Sequence, residues 1–293
     1  MGDGDRSLAR FDLARQAIKR AALTMTSHLA AGKFQLYRTE ASFGYEGGEP
    51  VLHGVSLCAR PGELIALTGA SGEGKTTLLR CLTGEKNDYA GEILLNGENI
   101  KKLSHTERSV KLSYLPQELP LPQVTVRELV SFGRTPYTPF SGALSQADWE
   151  KVEWAIKAVG LETFARTSVD TLSGGERKKA FFAMTLAQDT PLVVLDEPTA
   201  HLDAESRFAF LELLERLSRE TGKTFLVVMH ELPEVLQYAR NIVALDDHSV
   251  CFCGTPEKFL EQGLPQRVFG VQIKGKKDCG YAVVPCKPEM LEE

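Results

Sequence analysis

The sequence predicts an α/β fold in which helices cover both faces of a largely parallel sheet. Two short runs, Leu192–Leu195 and Phe225–Met229, are uniformly apolar, as expected for strands that are buried on both faces. Between these runs, one face of a predicted helix carries four apolar side chains: Phe210, Leu213, Leu214 and Leu217. Alternation of buried strands with amphipathic helices is typical of an α/β core.

Two further sequence patterns flank or interrupt this core, and each predicts an attached subdomain. From about Phe34 the chain shows short β-rich runs separated by Gly and Pro, and Glu92–Ile100 has a hairpin pattern with Asn96-Gly97 at its turn. Residues 118–188 are predicted to be mainly helical. We therefore expect an antiparallel β subdomain and a helical subdomain within residues 34–270, a C-terminal tail over 271–293, and an N-terminal extension over 1–33. The extension is basic in part and is expected to be poorly ordered or loosely docked, the alternative being a helix that lies on a membrane.

Composition limits the possible functions. The chain has 293 residues, 43% of them hydrophobic, and a net charge of −5, whereas a dedicated nucleic-acid-binding protein is more often basic. The apolar runs are much shorter than the roughly 20 residues that a membrane-spanning helix needs. If the protein serves a membrane, we expect it to do so through a partner.

A glycine-rich segment predicts a phosphate-binding loop. Gly69–Thr76 matches the pattern G-x-x-x-x-G-K-[ST], with a predicted strand before it and a predicted helix after it. Glycines let several backbone N–H groups converge on phosphate oxygens at the start of the helix. Lys75 is expected to reach the β- and γ-phosphates, and the Thr76 hydroxyl is expected to ligate Mg²⁺.

Polar side chains end three of the predicted strands. Asp196 and Glu197 follow Leu192–Leu195 directly, and His230 and Gln117 follow two other apolar strands. Because ligands of open α/β sheets bind at the carboxyl ends of strands, we expect Asp196 to hold Mg²⁺ and Glu197 to polarise the attacking water. Gln117 is expected to touch both the metal and this water, and His230 the γ-phosphate. The alternatives are a helix cap or solvated acidic turn for the carboxylates and a structural imidazole for His230.

A second candidate anion site lies at Leu172–Glu176, where a serine and two glycines precede a predicted helix. A second phosphate site exceeds the needs of one nucleotide, and it makes sense if it serves another copy of the chain.

Taken in order, these motifs, together with Ala200–Asp203, resemble the motif set of ABC transporter ATPases over residues 34–270. The resemblance implies the ABC ATPase fold, with a P-loop core and both subdomains. It also implies ATP and Mg²⁺ as cofactors and a head-to-tail pair of subunits, in which Ser173 and Gly175 contact the partner's ATP. Tyr45 would stack on adenine, unless it is a core or hairpin aromatic. The implied nucleotide-binding residues are Tyr45, Gly69, Ala70, Ser71, Gly72, Glu73, Gly74, Lys75, Thr76, Thr77, Ser173, Gly174, Gly175 and Asp203, the last at the dimer seam.

Three shorter segments resemble ATPases of bacterial importers for ferric siderophores, haem and cobalamin: Phe132–Pro136, Ala187-Gln188 and Val268–Gly270. The sequence departs from common family patterns at Ser71, Glu73, Lys178-Lys179 and Glu231. The resemblance implies integral membrane permease subunits as partners, a solute-binding protein acting indirectly, and a peripheral position on the cytoplasmic face of the cell membrane.

Two other functions remain as alternatives. The first is an ABC ATPase that acts on ribosomes or DNA, although the chain has one motif set and no sustained heptad pattern. The second is a nucleotide-binding regulator without turnover, against which the presence of Lys75, Asp196 and Glu197 argues.

Overall fold

The structure of the protein is a computed structural model. It describes residues 36–44, 50–55, 61–95, 98–138 and 143–286. The predicted N-terminal extension, the predicted adenine-stacking Tyr45 and the predicted Asn96-Gly97 turn lie outside these ranges.

The secondary structure alternates between strands and helices along the described chain. The strands are β1 (Leu36–Gly44), β2 (Pro50–Val55), β3 (Leu64–Gly69), β4 (Ala90–Leu95), β5 (Glu98–Asn99), β6 (Leu112–Leu115), β7 (Leu192–Leu195), β8 (Thr224–Val228), β9 (Asn241–Asp246), β10 (Ser249–Gly254), β11 (Val271–Lys276) and β12 (Gly280–Pro285). The α-helices are α1 (Lys75–Thr83), α2 (His105–Ser109), α3 (Val126–Ser131), α4 (Gln146–Ala158), α5 (Gly174–Ala187), α6 (Ala204–Thr221), α7 (Leu232–Tyr238), α8 (Pro256–Glu261) and α9 (Leu264–Phe269).

Within the part of the chain that the structure describes, a 10-stranded sheet has the order β5-β4-β1-β2-β10-β9-β3-β8-β7-β6. The half from β9 to β6 is parallel, whereas β1 pairs antiparallel with both β2 and β4, and β4 pairs antiparallel with β5. The predicted parallel core and the predicted antiparallel β subdomain are therefore confirmed.

Side chains of the central strands alternate between two buried layers. On β3, Leu64 and Ala66 join one hydrophobic cluster, and Ile65 and Leu67 join another on the opposite face. β7 divides between the same two clusters, and its four residues are all 0% exposed. Burial on both faces explains why this strand is continuously apolar rather than alternating.

The predicted helical subdomain is formed by α3, α4 and α5, which contact one another. A 3₁₀ segment, Phe132–Tyr137, follows α3. In it, Arg134 is buried and pairs with Asp148 of α4, with Nε and Oδ1 at 2.9 Å, while its Nη1 donates to the carbonyl of Ala187 at 2.8 Å. Two segments that resemble importer ATPases, Phe132–Pro136 and Ala187-Gln188, are thus joined by one guanidinium.

Gly133 allows the 3₁₀ segment to approach the end of α5 closely. A Cβ atom at this position would lie 2.2 Å from the carbonyl oxygen of Met184. Because a Cβ atom is fixed to its own backbone and the carbonyl oxygen is a backbone atom, the clash can be relieved only by moving the two elements apart. We expect Gly133→Ala to lower the free energy of unfolding by about 2 kcal/mol, measured as a shift of the urea midpoint. An unchanged midpoint would contradict this contact.

The predicted C-terminal tail contains a hairpin that the sequence analysis did not anticipate. β11 and β12 pair antiparallel from Val271↔Pro285 to Lys276↔Gly280. Val271, Ile273 and Tyr281 pack against the larger hydrophobic cluster, and β12 contacts α7. These contacts attach the hairpin to the core that also carries the candidate site.

Candidate nucleotide site

The predicted phosphate loop connects β3 to α1, as the sequence predicts. A Cβ on Gly69 would lie 2.6 Å from the carbonyl oxygen of Leu245 on the neighbouring strand β9, so only glycine fits at the end of β3. Gly74, the N-cap of α1, has φ 89°, which is a left-handed conformation that L side chains rarely adopt. The loop can therefore direct its N–H groups, including that of Glu73, towards an anion at the start of α1.

Lys75 lies inside this loop. Its side chain is buried, and Nζ donates to the carbonyls of Gly69 at 2.9 Å and Ala70 at 2.6 Å. Burial lowers the pKa of Lys75, and the negative charge of Glu197 and two other carboxylates opposes that shift. An ammonium group in a glycine-rich loop at a helix N-terminus fits a di- or triphosphate.

Asp196 follows β7 at the same edge of the sheet. It is 2% exposed, Oδ1 is buried without a hydrogen-bond partner among the described residues, and Oδ2 accepts from the Tyr114 hydroxyl at 3.3 Å. Burial, followed by the charge of Glu197, raises the pKa of Asp196, while hydrogen bonds from Tyr114 and Thr76 lower it. A buried carboxylate with a free oxygen beside a threonine hydroxyl has the ligand chemistry of a Mg²⁺ site.

Glu197 is held between the two residues predicted to act with it. Its Oε2 accepts from Nε2 of Gln117 at 2.9 Å, and its Oε1 lies 2.5 Å from Nε2 of His230. Gln117, Glu197 and His230 follow β6, β7 and β8, which are adjacent in the sheet. The structure thus brings together three of the four predicted strand-end residues. Glu197 also has a φ of 47°, which is uncommon for a residue with a side chain.

The second candidate anion site begins α5. Ser173 is the N-cap and forms a capping box with Glu176, whose Oε2 accepts from the Ser173 N–H at 2.9 Å and hydroxyl at 2.6 Å. Ser173 and Gly174 are exposed at this helix start. Gly175 faces the first turn of α6, where a Cβ would lie 3.6 Å from Oγ of Ser206. The exposed glycine-rich start of α5 leaves room for an anion from outside the chain.

Two acidic side chains in the predicted nucleotide set have other partners. Oε2 of Glu73 accepts from the His248 N–H at 2.8 Å, so this carboxylate is directed to the turn between β9 and β10. Asp203 is the N-cap of α6 and accepts from the Ser206 N–H at 2.9 Å. Glu73 can contribute its backbone to a phosphate site, whereas the Asp203 carboxylate caps the start of α6.

Two contacts at the site were missed by sequence reasoning. Tyr114 hydrogen-bonds Asp196, and the Lys178 ammonium donates to the carbonyls of Glu197 and Ala200. The sequence did contain a signal for Tyr114. This residue lies near the carboxyl end of a predicted strand, three residues before the candidate site residue Gln117. Lys178 was noticed only as a departure from the family pattern.

The chain belongs to the ABC transporter family, whose model matches residues 52–200. It is 38% identical to the probable siderophore transport system ATP-binding protein YusV of Bacillus subtilis, over 84% of this chain and 90% of that protein. It is 36% identical to the ferric enterobactin transport ATP-binding protein FepC of Escherichia coli, over 80% of this chain and 86% of that protein.

The fold agrees with this assignment. The structure of cbiO1 from Clostridium perfringens, part of an ABC transporter complex, superposes with a TM-score of 0.69 at 26% identity, covering 81% of this chain and 95% of that chain. Family membership implies ATP binding and ATP hydrolysis coupled to transport, and it favours a transport function over action on ribosomes or DNA. Within the described ranges, no helix is long and apolar enough to cross a membrane.

Proposed function

We propose that two copies of this chain hydrolyse Mg-ATP at their shared interface and so drive import of a metal chelate through membrane permease subunits. The observation that carries the hydrolytic part is the placement of Glu197 between Gln117 and His230, next to the buried free oxygen of Asp196. A carboxylate held by two partners beside a phosphate loop is suited to orient one water for in-line attack.

The chemistry of the chain's own residues follows from this arrangement. The N–H groups of Gly69–Thr76 and the Lys75 ammonium bind the β- and γ-phosphates. Glu197 accepts a hydrogen bond from the attacking water, Gln117 orients that water, and His230 contacts the γ-phosphate. When bound, Mg²⁺ supplies charge stabilisation at the phosphates, and Thr76, Gln117 and Asp196 are the residues that would hold it.

The exposed start of α5 supports the dimer. Ser173 and Gly175 stand at a helix N-terminus, where a γ-phosphate bound to the partner copy would meet N–H groups and a hydroxyl. Closure with ATP and opening after hydrolysis would form a two-state switch, because only the triphosphate bridges both copies.

Two observations support a proposal for the cargo: the names of the relatives and the importer-like segments of the helical subdomain. The relatives are named for siderophore and enterobactin transport, and two importer-like segments of this chain meet at the buried Arg134. We propose import of a ferric siderophore, haem or cobalamin, at the cytoplasmic face of the cell membrane, with a solute-binding protein delivering the cargo to the permease. Co-purification of the full chain with integral membrane subunits tests this assignment, whereas co-purification with ribosomes or DNA would contradict it.

The metal assignment predicts a specific defect for Asp196→Asn. Because the substitution removes the charge of a buried ligand, we expect the Mg²⁺ concentration for half-maximal hydrolysis to rise about tenfold or more. Titration of ATPase activity with Mg²⁺ at fixed ATP measures this, with the exposed Asp170→Asn as a matched control. An Asp196→Asn titration that overlays that of the unmodified chain would overturn the metal assignment.

A further inference from the structure

Lys178 is a buried cation on the helix that begins at the second anion site. It lies on the second turn of α5, its residue is 6% exposed, and its Nζ donates to the carbonyls of Glu197 at 3.4 Å and Ala200 at 3.3 Å. No carboxylate of the described residues lies within ion-pairing distance of this ammonium. A buried ammonium without an ion partner is costly, and backbone carbonyls on the catalytic side of the sheet provide its hydrogen bonds.

These carbonyls belong to a single strained turn. Glu197 has φ 47°, and the Ala200 N–H donates to the Glu197 carbonyl at 3.1 Å, which closes the turn. A left-handed residue other than glycine persists only where its surroundings enforce it. Lys178 bonds both ends of the turn, so it opposes rotation of the Glu197 backbone into a more common conformation.

The charges of Lys178 and Glu197 favour the contact between the Lys178 ammonium and the Glu197–Ala200 turn. Burial lowers the pKa of Lys178, and the negative charge of Glu197 acts in the opposite direction and favours the ammonium. The ammonium therefore attracts the carboxylate whose backbone it holds.

We propose that Lys178 is a positioning residue for hydrolysis, which fixes the Glu197–Ala200 turn and so holds the Glu197 carboxylate between Gln117 and His230. This role rests on the proposed function of Glu197. Because Ser173 is the N-cap of α5, the Lys178 side chain connects the surface offered to the partner's nucleotide with the chain's own hydrolytic turn.

Lys178→Met tests the role, because methionine keeps a side chain of similar length but lacks the charge and the donors. In the full chain with Mg-ATP, kcat is expected to fall about tenfold or more, since small displacements of a reacting group cost up to about 100-fold. KM for ATP is expected to change less than about twofold, because the phosphate loop is untouched. Lys178→Gln keeps donors and is expected to retain more activity than Lys178→Met, and the exposed Lys157→Gln is the control.

A double-mutant cycle separates positioning from general stabilisation. If Lys178 acts through Glu197, Lys178→Met lowers the single-turnover rate of the unmodified chain but not that of Glu197→Gln. Equal losses in both backgrounds, or an unchanged kcat in Lys178→Met, would overturn the proposal. If Lys178→Met does not fold, Lys178→Leu, which also lacks the charge and the donors, replaces it in the cycle and is judged by the same criteria. Failure of Glu197→Gln to reduce turnover would instead refute the proposed role of Glu197, so the two failures are distinguishable.

Discussion

Glu197→Gln is expected to lower the turnover number for ATP by about 100-fold to 10,000-fold, the contribution typical of a positioned general base. Glutamine keeps the shape of the side chain and its contact with Gln117, but it cannot accept a proton from the attacking water. ATP affinity should persist, because Lys75 and the loop N–H groups are unchanged. Steady-state phosphate release and equilibrium ATP binding measure the two effects separately.

The control for this prediction is Glu231→Gln. Glu231 follows His230 directly, is exposed, and makes no side-chain cap bond at the start of α7. Glu231→Gln therefore removes an equal charge close to the site without changing a group that contacts the proposed water. Full turnover in Glu197→Gln, or equal losses in both variants, would show that Glu197 is not the base.

We also expect that mixing two inactive variants restores part of the ATPase activity. Lys75→Met disables the phosphate loop, and Gly175→Asp places a negative charge at the start of α5, where the partner's γ-phosphate is proposed to bind. Each variant alone should have almost no activity, because every site in its dimer is defective. A mixed dimer contains one site that combines an intact loop with an intact Ser173–Gly175 surface.

If single sites turn over independently, an equal mixture should regain about a quarter of the unmodified activity, because half of the dimers are mixed and half of their sites are intact. ATPase assays of each variant and of the mixture give the comparison at one total protein concentration. A mixture as inactive as its components would argue against sites completed in trans. As a control, Lys75→Met mixed with Glu197→Gln should stay near background, because both changes affect the same half of the site.

The sequence predicted the parts of the site that local pattern determines. Gly69–Thr76 was recognisable because phosphate binding needs glycines and a lysine at fixed spacing at a strand–helix junction. Asp196, Glu197 and His230 were recognisable because they end buried apolar strands, and parallel strands place such ends at one edge. The order of these motifs further predicted both subdomains and the family, which the fold and the comparisons confirm.

Other features depend on contacts between distant segments, and the sequence did not reveal them. Lys178 lies 19 positions before Glu197, and nothing in its helix indicates that its ammonium meets the Glu197 carbonyl. Glu73 lies in a phosphate loop, but its carboxylate is directed to His248, 175 positions away. The β11–β12 hairpin was missed because Gln272-Ile273-Lys274 and Tyr281–Val284 are short and partly exposed, with no strong apolar alternation.

The most direct test of the account is a structure of the Glu197→Gln chain trapped with Mg-ATP. We predict a two-fold pair in which each triphosphate lies between Gly69–Thr76 of one copy and Ser173–Gly175 of the other, with hydrogen bonds from Ser173 to the γ-phosphate. A nucleotide-bound pair in which Ser173–Gly175 lies far from both triphosphates would contradict the account.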